Sequence, residues 1–194
     1  MKIPDIKYLF EPRSVAVIGA SHNPKKIGHN LVENLTAGKY PGKIYPINLK
    51  GGEMFGKKVY KNILDVPTDV DMACIAIPAK YVFETVKQCA KKNVKYLVII
   101  TSGFSEVGNI KEENKILEFA KENGMRILGP NIFGIYSANS NMNATFGQKE
   151  MLAGNVAIIT QSGALGIAMM GKTKTENIGL SAMVSVGNKS DIDE

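Results

Sequence analysis

Val15-Ala16-Val17-Ile18-Gly19-Ala20-Ser21-His22-Asn23-Pro24-Lys25-Lys26-Ile27-Gly28-His29-Asn30 is the stretch that decides the fold of this chain. An apolar run of strand length passes through a Gly/Asn/Pro turn into a helix whose first turn carries lysines. Such a junction aims backbone N–H groups, and the positive end of a helix dipole, at one point beyond the strand's carboxyl end. A phosphate suits that point. The spacing departs from the G-x-G-x-x-G dinucleotide fingerprint, because the glycine after Gly19 is Gly28. An apolar strand and glycine turn that bind nothing would read the same way, so the junction alone leaves both readings open.

The flanking segments repeat the strand–helix alternation. Strands are predicted at 14–18, 44–47, 70–77, 96–100 and 125–128, the third being a continuous apolar run of the kind buried on both faces of a parallel sheet. Helices are predicted from about residue 27 to Gly38, at about 80–92 and at about 111–123. In the first of these Ile27, Leu31, Val32 and Leu35 fall at helical spacing. The pattern defines an α/β fold, a Rossmann-like doubly wound parallel sheet. It breaks down between 133 and 153, where the polar, turn-prone stretch 139–143 reads as a connection. A first domain at 1–140, a linker at 141–153 and a second unit at 154–194 are expected. Two strands and one helix are too few to bury a core, so the second unit is expected to be incomplete, with few sheet neighbours after Gly154.

Composition narrows the function classes. With 44% hydrophobic and 22% charged residues in 194, the chain is ordinary for a globular protein. No apolar run reaches the roughly 20 residues of a membrane span, and no signal peptide opens the chain, so a cytoplasmic location and no membrane role are expected. Cys74 and Cys89 lack ligand spacing and read as buried structural thiols, with no metal site. The net charge of +6 is spread along the chain with acids interleaved, which points to an anionic small molecule rather than a nucleic acid.

Ligands of doubly wound sheets lie at the carboxyl ends of the strands. Here those ends supply 19–26, 48–50, Ile77-Pro78, 101–104 and Gly129-Pro130-Asn131. An NAD site wants an acid after the second strand to hold the ribose; Asn48 and Lys50 stand there instead. A lysine suits a phosphorylated ribose, as in NADP or coenzyme A, although a plain surface lysine reads the same. His22 and His29 lack a carboxylate partner in sequence and read as turn and helix-surface residues. Ser162 lacks the glycine two residues earlier that a G-x-S-x-G nucleophile elbow needs. It sits where a helix N-cap belongs, with Gly163 leaving room for a ligand at the backbone. That is either a second phosphate site or a simple cap.

Taken together, the chain resembles the α subunit, or α-like half, of nucleoside-diphosphate-forming acyl-CoA synthetases, a group that includes ADP-forming acetyl-CoA synthetase and succinyl-CoA synthetase. The resemblance is carried in family order by 15–21, Tyr45-Pro46-Ile47-Asn48, Ala76-Ile77-Pro78-Ala79, 103–108, Gly129-Pro130-Asn131, Asn143-Ala144-Thr145-Phe146, Ser162-Gly163-Ala164 and Gly187-Asn188-Lys189. It implies a CoA-binding Rossmann-like domain followed by the start of a flavodoxin-like ligase domain. Carried over, it implies CoA contacts at Gly19, Ser21, His22, Lys25, Lys26, Asn48, Lys50, Ile77, Pro78, Ser102, Gly103 and Phe104. Phosphate and substrate contacts would fall at Asn131, Gln161, Ser162 and Gly163. The implied reaction is acyl-CoA + ADP + phosphate to acid + CoA + ATP, through an acyl phosphate and a phosphohistidine. The expected partners are CoA, a small carboxylic acid, and an ATP-grasp β subunit or domain that brings ADP or ATP and Mg2+; an oligomer is expected. In the family that histidine lies beyond the position of Glu194, so this chain alone is expected to be inactive. A CoA-binding regulatory module and an NADP-binding oxidoreductase domain are the other readings.

Overall fold

In the computed structural model, which describes residues 3–193, a one-turn helix α1 (Lys7–Phe10) seats Leu9 in the core. Strand β1 (Ser14–Ile18) leads into helix α2 (Ile27–Ala37) and back to β2 (Lys43–Ile47). A short hairpin follows, β3 (Glu53–Met54) and β4 (Lys57–Lys58), where the sequence pattern assigned no structure. Then come β5 (Met72–Ile75), α3 (Val82–Lys91), β6 (Tyr96–Ile99), α4 (Ile110–Glu122) and β7 (Arg126–Leu128).

The first, second, fifth, sixth and seventh strands form one parallel sheet in the order β2-β1-β5-β6-β7. Alternate residues feed two cores. Val15, Val17, Met72, Cys74 and Val98 face Leu31, Val32 and Leu35 of α2 on one side. Ala16, Ile18, Ala73, Ile75, Leu97 and Ile99 face α3 and α4 on the other. The sheet is therefore doubly wound, and its order reverses between β1 and β5.

The expected linker at 141–153 holds a buried strand instead. Strand β8 (Gly134–Ser137) and β9 (Met142–Thr145) form an antiparallel hairpin, and every residue of both is buried. The polar letters of β9 disguised it, because each polar side chain finds a partner inside. Asn143 Nδ2 donates to the carbonyls of Gln148 (2.8 Å) and Lys149 (3.2 Å), and Thr145 Oγ1 to Asn143 Oδ1 (2.7 Å). Asn34 of α2 donates to the Thr145 carbonyl at 2.8 Å and clamps the hairpin to the first domain.

Strand β10 (Ala153–Thr160), helix α5 (Gly163–Thr175) and β11 (Leu180–Ser185) complete a second sheet, β10-β11-β8-β9. Its β10–β11 pair is parallel and β11–β8 antiparallel. The expectation that residues after Gly154 lack sheet neighbours thus holds for only one edge of β10; β11 is paired on both sides. Cys74 and Cys89 are fully buried, and burial pushes both thiols up to about 12, which leaves them inert as nucleophiles.

Asp71, 3% exposed, locks the entry of β5 to the entry of β1. Its carboxylate accepts from the backbone N–H, Nε and Nη2 of Arg13, each at 2.9 Å. Burial pushes the carboxyl up, but the Arg13 bonds outweigh it and hold it below its ordinary value. Asp71→Asn should lower the unfolding free energy by about 1–3 kcal/mol at neutral pH. The folded-state value is depressed, so this contribution is present above the unfolded value of about 3.9 and is lost as pH falls through the folded one. Urea unfolding of both proteins from neutral to strongly acid pH should show the gap between them closing at the acid end.

Candidate functional site

The strand order reverses where β1 and β5 lie side by side, and there the chain crowds three backbones together. Gly19 adopts φ +98°, and an added Cβ would overlap the Ala76 carbonyl. Gly28, in the first turn of α2, is buried so closely on Gly19 that a Cβ there would overlap the Gly19 carbonyl. Gly28 therefore does the close helix–strand packing of a dinucleotide fingerprint from a different spacing. No side chain caps the start of α2, whose N-cap Lys26 is extended.

The first loop is shaped from within. Asn23 N donates to Ser21 Oγ (3.1 Å), and Lys25 N to Asn23 Oδ1 (2.9 Å). His22 Nε2 donates to the Glu53 carbonyl at 2.8 Å, and His29 Nδ1 to the Ser21 carbonyl at 3.0 Å. The His29 ring also meets Phe55 of the β3–β4 turn edge-on at 5.1 Å. Both histidines fasten the loop and hairpin together. Asn48 is engaged likewise: its amide donates to the Ala20 carbonyl (2.6 Å) and accepts from Lys50 N (2.9 Å).

Lys25, Lys26 and Lys50 are exposed, and none forms an ion pair among the described residues. Lys50 borders a cavity of about 420 Å³ together with Lys58, Tyr60 and Lys61. A second cavity, about 290 Å³, is lined by Ile27, Ala76, Ile77, Pro78, Thr101 and Ser102. It unites Ile77, Pro78 and Ser102, as the sequence reading grouped them. Ile27 is its missed member. Helical spacing assigned it to the core, but at the first position of α2 it is 40% exposed and faces this groove.

Phe104 departs from its expected place on the ligand path. Its ring is 1% exposed and belongs to the core under α3 and α4, so only its backbone borders the loop. Gly103 and Phe104 N–H both donate to the Glu106 carboxylate. Burial raises the Glu106 carboxyl, and bonds from Gly103, Asn188 and Phe104 lower it further than burial raises it.

The residues expected to receive phosphate fall on two elements, Asn131 after β7 and Gln161, Ser162 and Gly163 at the start of α5. Ser162 Oγ caps α5 by accepting from Leu165 N at 3.2 Å. A Cβ on Gly163 would meet nothing within 4 Å, so the protein's own packing makes no demand for glycine there. Asn131, exposed, is separated from this helix start by the β11 exit: Val186 N donates to the Thr160 carbonyl (3.0 Å), and Asn131 Nδ2 to Asn188 Oδ1 (3.3 Å).

The fold and rim define a Rossmann-like α/β protein whose strand-end loops converge at a topological switch point. The chain belongs to the CoA binding domain family, whose model matches residues 13–138; residues 153–194 match the succinyl-CoA ligase like flavodoxin domain. It is 54% identical to the acetate–CoA ligase [ADP-forming] I subunit alpha of Pyrococcus furiosus, over 97% of this chain and 42% of that one. The acetate–CoA ligase [ADP-forming] of Methanocaldococcus jannaschii is 49% identical over 98% of this chain and 27% of its own length. Among solved structures, the dinucleotide forming acetyl-coenzyme A synthetase 1 of Ca. Korarchaeum cryptofilum, in complex with phosphate and ADP, superposes with a TM-score of 0.96 at 51% identity. That match covers 98% of this chain and 41% of the other. The chain thus spans less than half the length of these relatives.

Gly28→Ala should be costly, because the obstructing atom is a backbone carbonyl that cannot turn aside. A loss of about 1–3 kcal/mol is expected, or roughly 2–12 °C in Tm by calorimetry for a chain of this size. Gly163→Ala, by contrast, should leave Tm within about 1 °C.

Proposed function

We propose that this chain binds coenzyme A across the switch-point rim and forms the CoA-binding part of an ADP-forming acyl-CoA synthetase. The observation that carries the reading is an apolar groove bordered by Ile27, with Lys25 and Lys26, exposed and without an ion pair among the described residues, directly before it in the chain. Lys25, Lys26 and Lys50 supply charge for the phosphates, and Ile27, Ile77, Pro78 and Ser102 supply a slot for the less polar pantetheine arm. Gly19 and Gly28 keep the loop low enough for a ligand to reach backbone N–H groups. Membership of the CoA binding domain family supports the ligand.

The whole enzyme's reaction would be acyl-CoA + ADP + phosphate to acid + CoA + ATP. A phosphate oxygen displaces the CoA sulfur to give an acyl phosphate, and the phosphoryl group then passes through a histidine to ADP. In this chain Gln161, Ser162 and Gly163 would receive the phosphate at the start of α5, with Asn131 nearby. The nucleotide and Mg2+ would be held by an ATP-grasp partner subunit or domain, and a small carboxylic acid is the other product. This reading places the protein in the cytoplasm, as part of an oligomeric assembly; no helix among the described residues is long and apolar enough to cross a membrane.

Titration calorimetry with CoA, dephospho-CoA and NADP tests the ligand. CoA should bind about tenfold more tightly than dephospho-CoA, the effect of one charge-assisted contact of about 1.5 kcal/mol. Equal affinities would remove the role given to the lysines, and tighter binding of NADP would favour an oxidoreductase.

His22 and His29 should stay unphosphorylated when the chain is incubated with ATP and Mg2+. Both sit in the first loop and the first turn of α2, where one nitrogen of each ring fastens the loop to the Glu53 or Ser21 carbonyl, and not at the start of α5, where the phosphate would be received. Acid-labile phosphate found on either histidine by mass spectrometry would mean that the phosphoryl carrier lies in this loop.

A further inference from the structure

One hydrogen-bonded seam joins the CoA-facing loop after β6 to the start of α5, and Asn188 is its centre. Asn188 Nδ2 donates to Glu106 Oε2 at 2.6 Å and to Glu113 Oε2 at 2.9 Å. Those two carboxylates in turn hold the β6 exit loop: Glu106 takes the N–H groups of Gly103 and Phe104, and Glu113 takes that of Ser105 at 2.9 Å. Asn188 Oδ1 accepts from Asn131 Nδ2, and Asn131 N donates to the Thr101 carbonyl at 3.0 Å. On the other side, Asn188 N donates to the Pro130 carbonyl (3.0 Å), and Val186 N to the Thr160 carbonyl (3.0 Å), one residue before Gln161. Gly187 lies flat on the Pro130 and Asn131 carbonyls, where a Cβ would overlap both.

A single amide therefore spends both N–H bonds on the acids that hold the N–H groups of Gly103, Phe104 and Ser105, while its own backbone is fixed to Pro130. The amide bridges the two carboxylates by donating one N–H to each. Any ligand that orders the Gln161–Gly163 turn also orders Val186 and Asn188, and so lowers the cost of ordering the Ser102–Phe104 loop for a second ligand.

We infer that Asn188 is a positioning residue that couples the two half-sites, so that phosphate at the start of α5 and CoA on the strand-end rim bind with positive cooperativity. The inference rests on the CoA-binding reading above. Coupling of this kind is reciprocal and amounts to about fivefold or more.

The test is calorimetric titration of the chain with CoA, with and without saturating inorganic phosphate, and of the chain with phosphate, with and without CoA. Phosphate should tighten CoA about fivefold or more, and CoA should tighten phosphate by the same factor. Asn188→Ala should bring both ratios to one, whereas general damage to the fold would weaken both ligands and leave the ratios as they were. Glu106→Gln guards against misfolding of that variant. It keeps the side-chain volume but leaves one acceptor oxygen where the carboxylate has two, so Gly103 N–H and Asn188 Nδ2 cannot both be served, and the coupling should also be lost. Phosphate that does not bind, binding without mutual effect, or coupling that survives in both variants overturns the inference and leaves the CoA reading standing. Failure of the unmodified chain to bind CoA at all overturns both.

Discussion

Three backbones meet without side chains at the point where the sheet reverses, and the rest of the site depends on that contact. Gly19 lies against Ala76 of the neighbouring strand exit, and Gly28 lies against Gly19. The first turn of α2 is thereby brought down onto the carboxyl end of β1, which fixes where its N–H groups and its positive dipole end point. The same contact sets Ile27 at the mouth of the groove rather than in the core, since burying Gly28 turns its neighbour outward. His22, His29 and Asn48 then fasten the loop, so that positions which look like ligand contacts in sequence serve first to hold it in shape.

The parallel sheet was legible because its signal is hydrophobic burial on both faces, which leaves long apolar runs such as 70–77. Strands β1, β2 and β7 end where expected, whereas β6 stops at Ile99 and β5 at Ile75, as the chain turns to bring Ile77 and Pro78 onto the rim. The β8–β9 hairpin was illegible for the opposite reason. Its burial is achieved with Asn143 and Thr145, whose polarity signals exposure unless their partners are known, and those partners lie in loops or on another helix. At the site, charges and glycines could be located, but not their duties. Nothing in the letters tells an Asn48 that tethers the Ala20 carbonyl from one that faces a ribose, or a Phe104 that fills the core from one that lines a groove.

The charge of +6 is also less even than the sequence implies. Acids pair with lysines mainly on the helices, as in Glu84–Lys87 and Glu112–Lys115, and at the periphery, as in Glu33–Lys149 and Glu150–Lys174. On the rim, Glu106 and Glu113 are taken up by backbone N–H groups and Asn188, while Lys25, Lys26, Lys50, Lys58 and Lys61 form no ion pair among the described residues. Lys50, Lys58 and Lys61 line one cavity with a single carboxylate, Asp65, which accepts from Asn62 N. The excess of ammonium groups gives this part of the surface a positive field, which favours an anion over a cation.

The boundary between the two matched families is the last place where chain order misleads. Residues after β11 do not leave with the second sheet; they return along the first. Ser190 N and Oγ both donate to the Gly129 carbonyl, Ile192 N donates to the Ile127 carbonyl, and Asp191 takes Ile127 N–H (2.9 Å) and Arg126 Nε (2.7 Å). The outer edge of β7 is thus covered by the segment that follows the second sheet. An open strand edge is a liability to a folded protein, and covering it removes that liability while tying the two sheets together. With the β8–β9 hairpin clamped under α2 and the 186–192 segment laced to β7, the carboxyl ends of both sheets are held against one wall. No flexible linker separates the two sheets among the described residues, so the loops at their strand ends are held by one continuous set of hydrogen bonds.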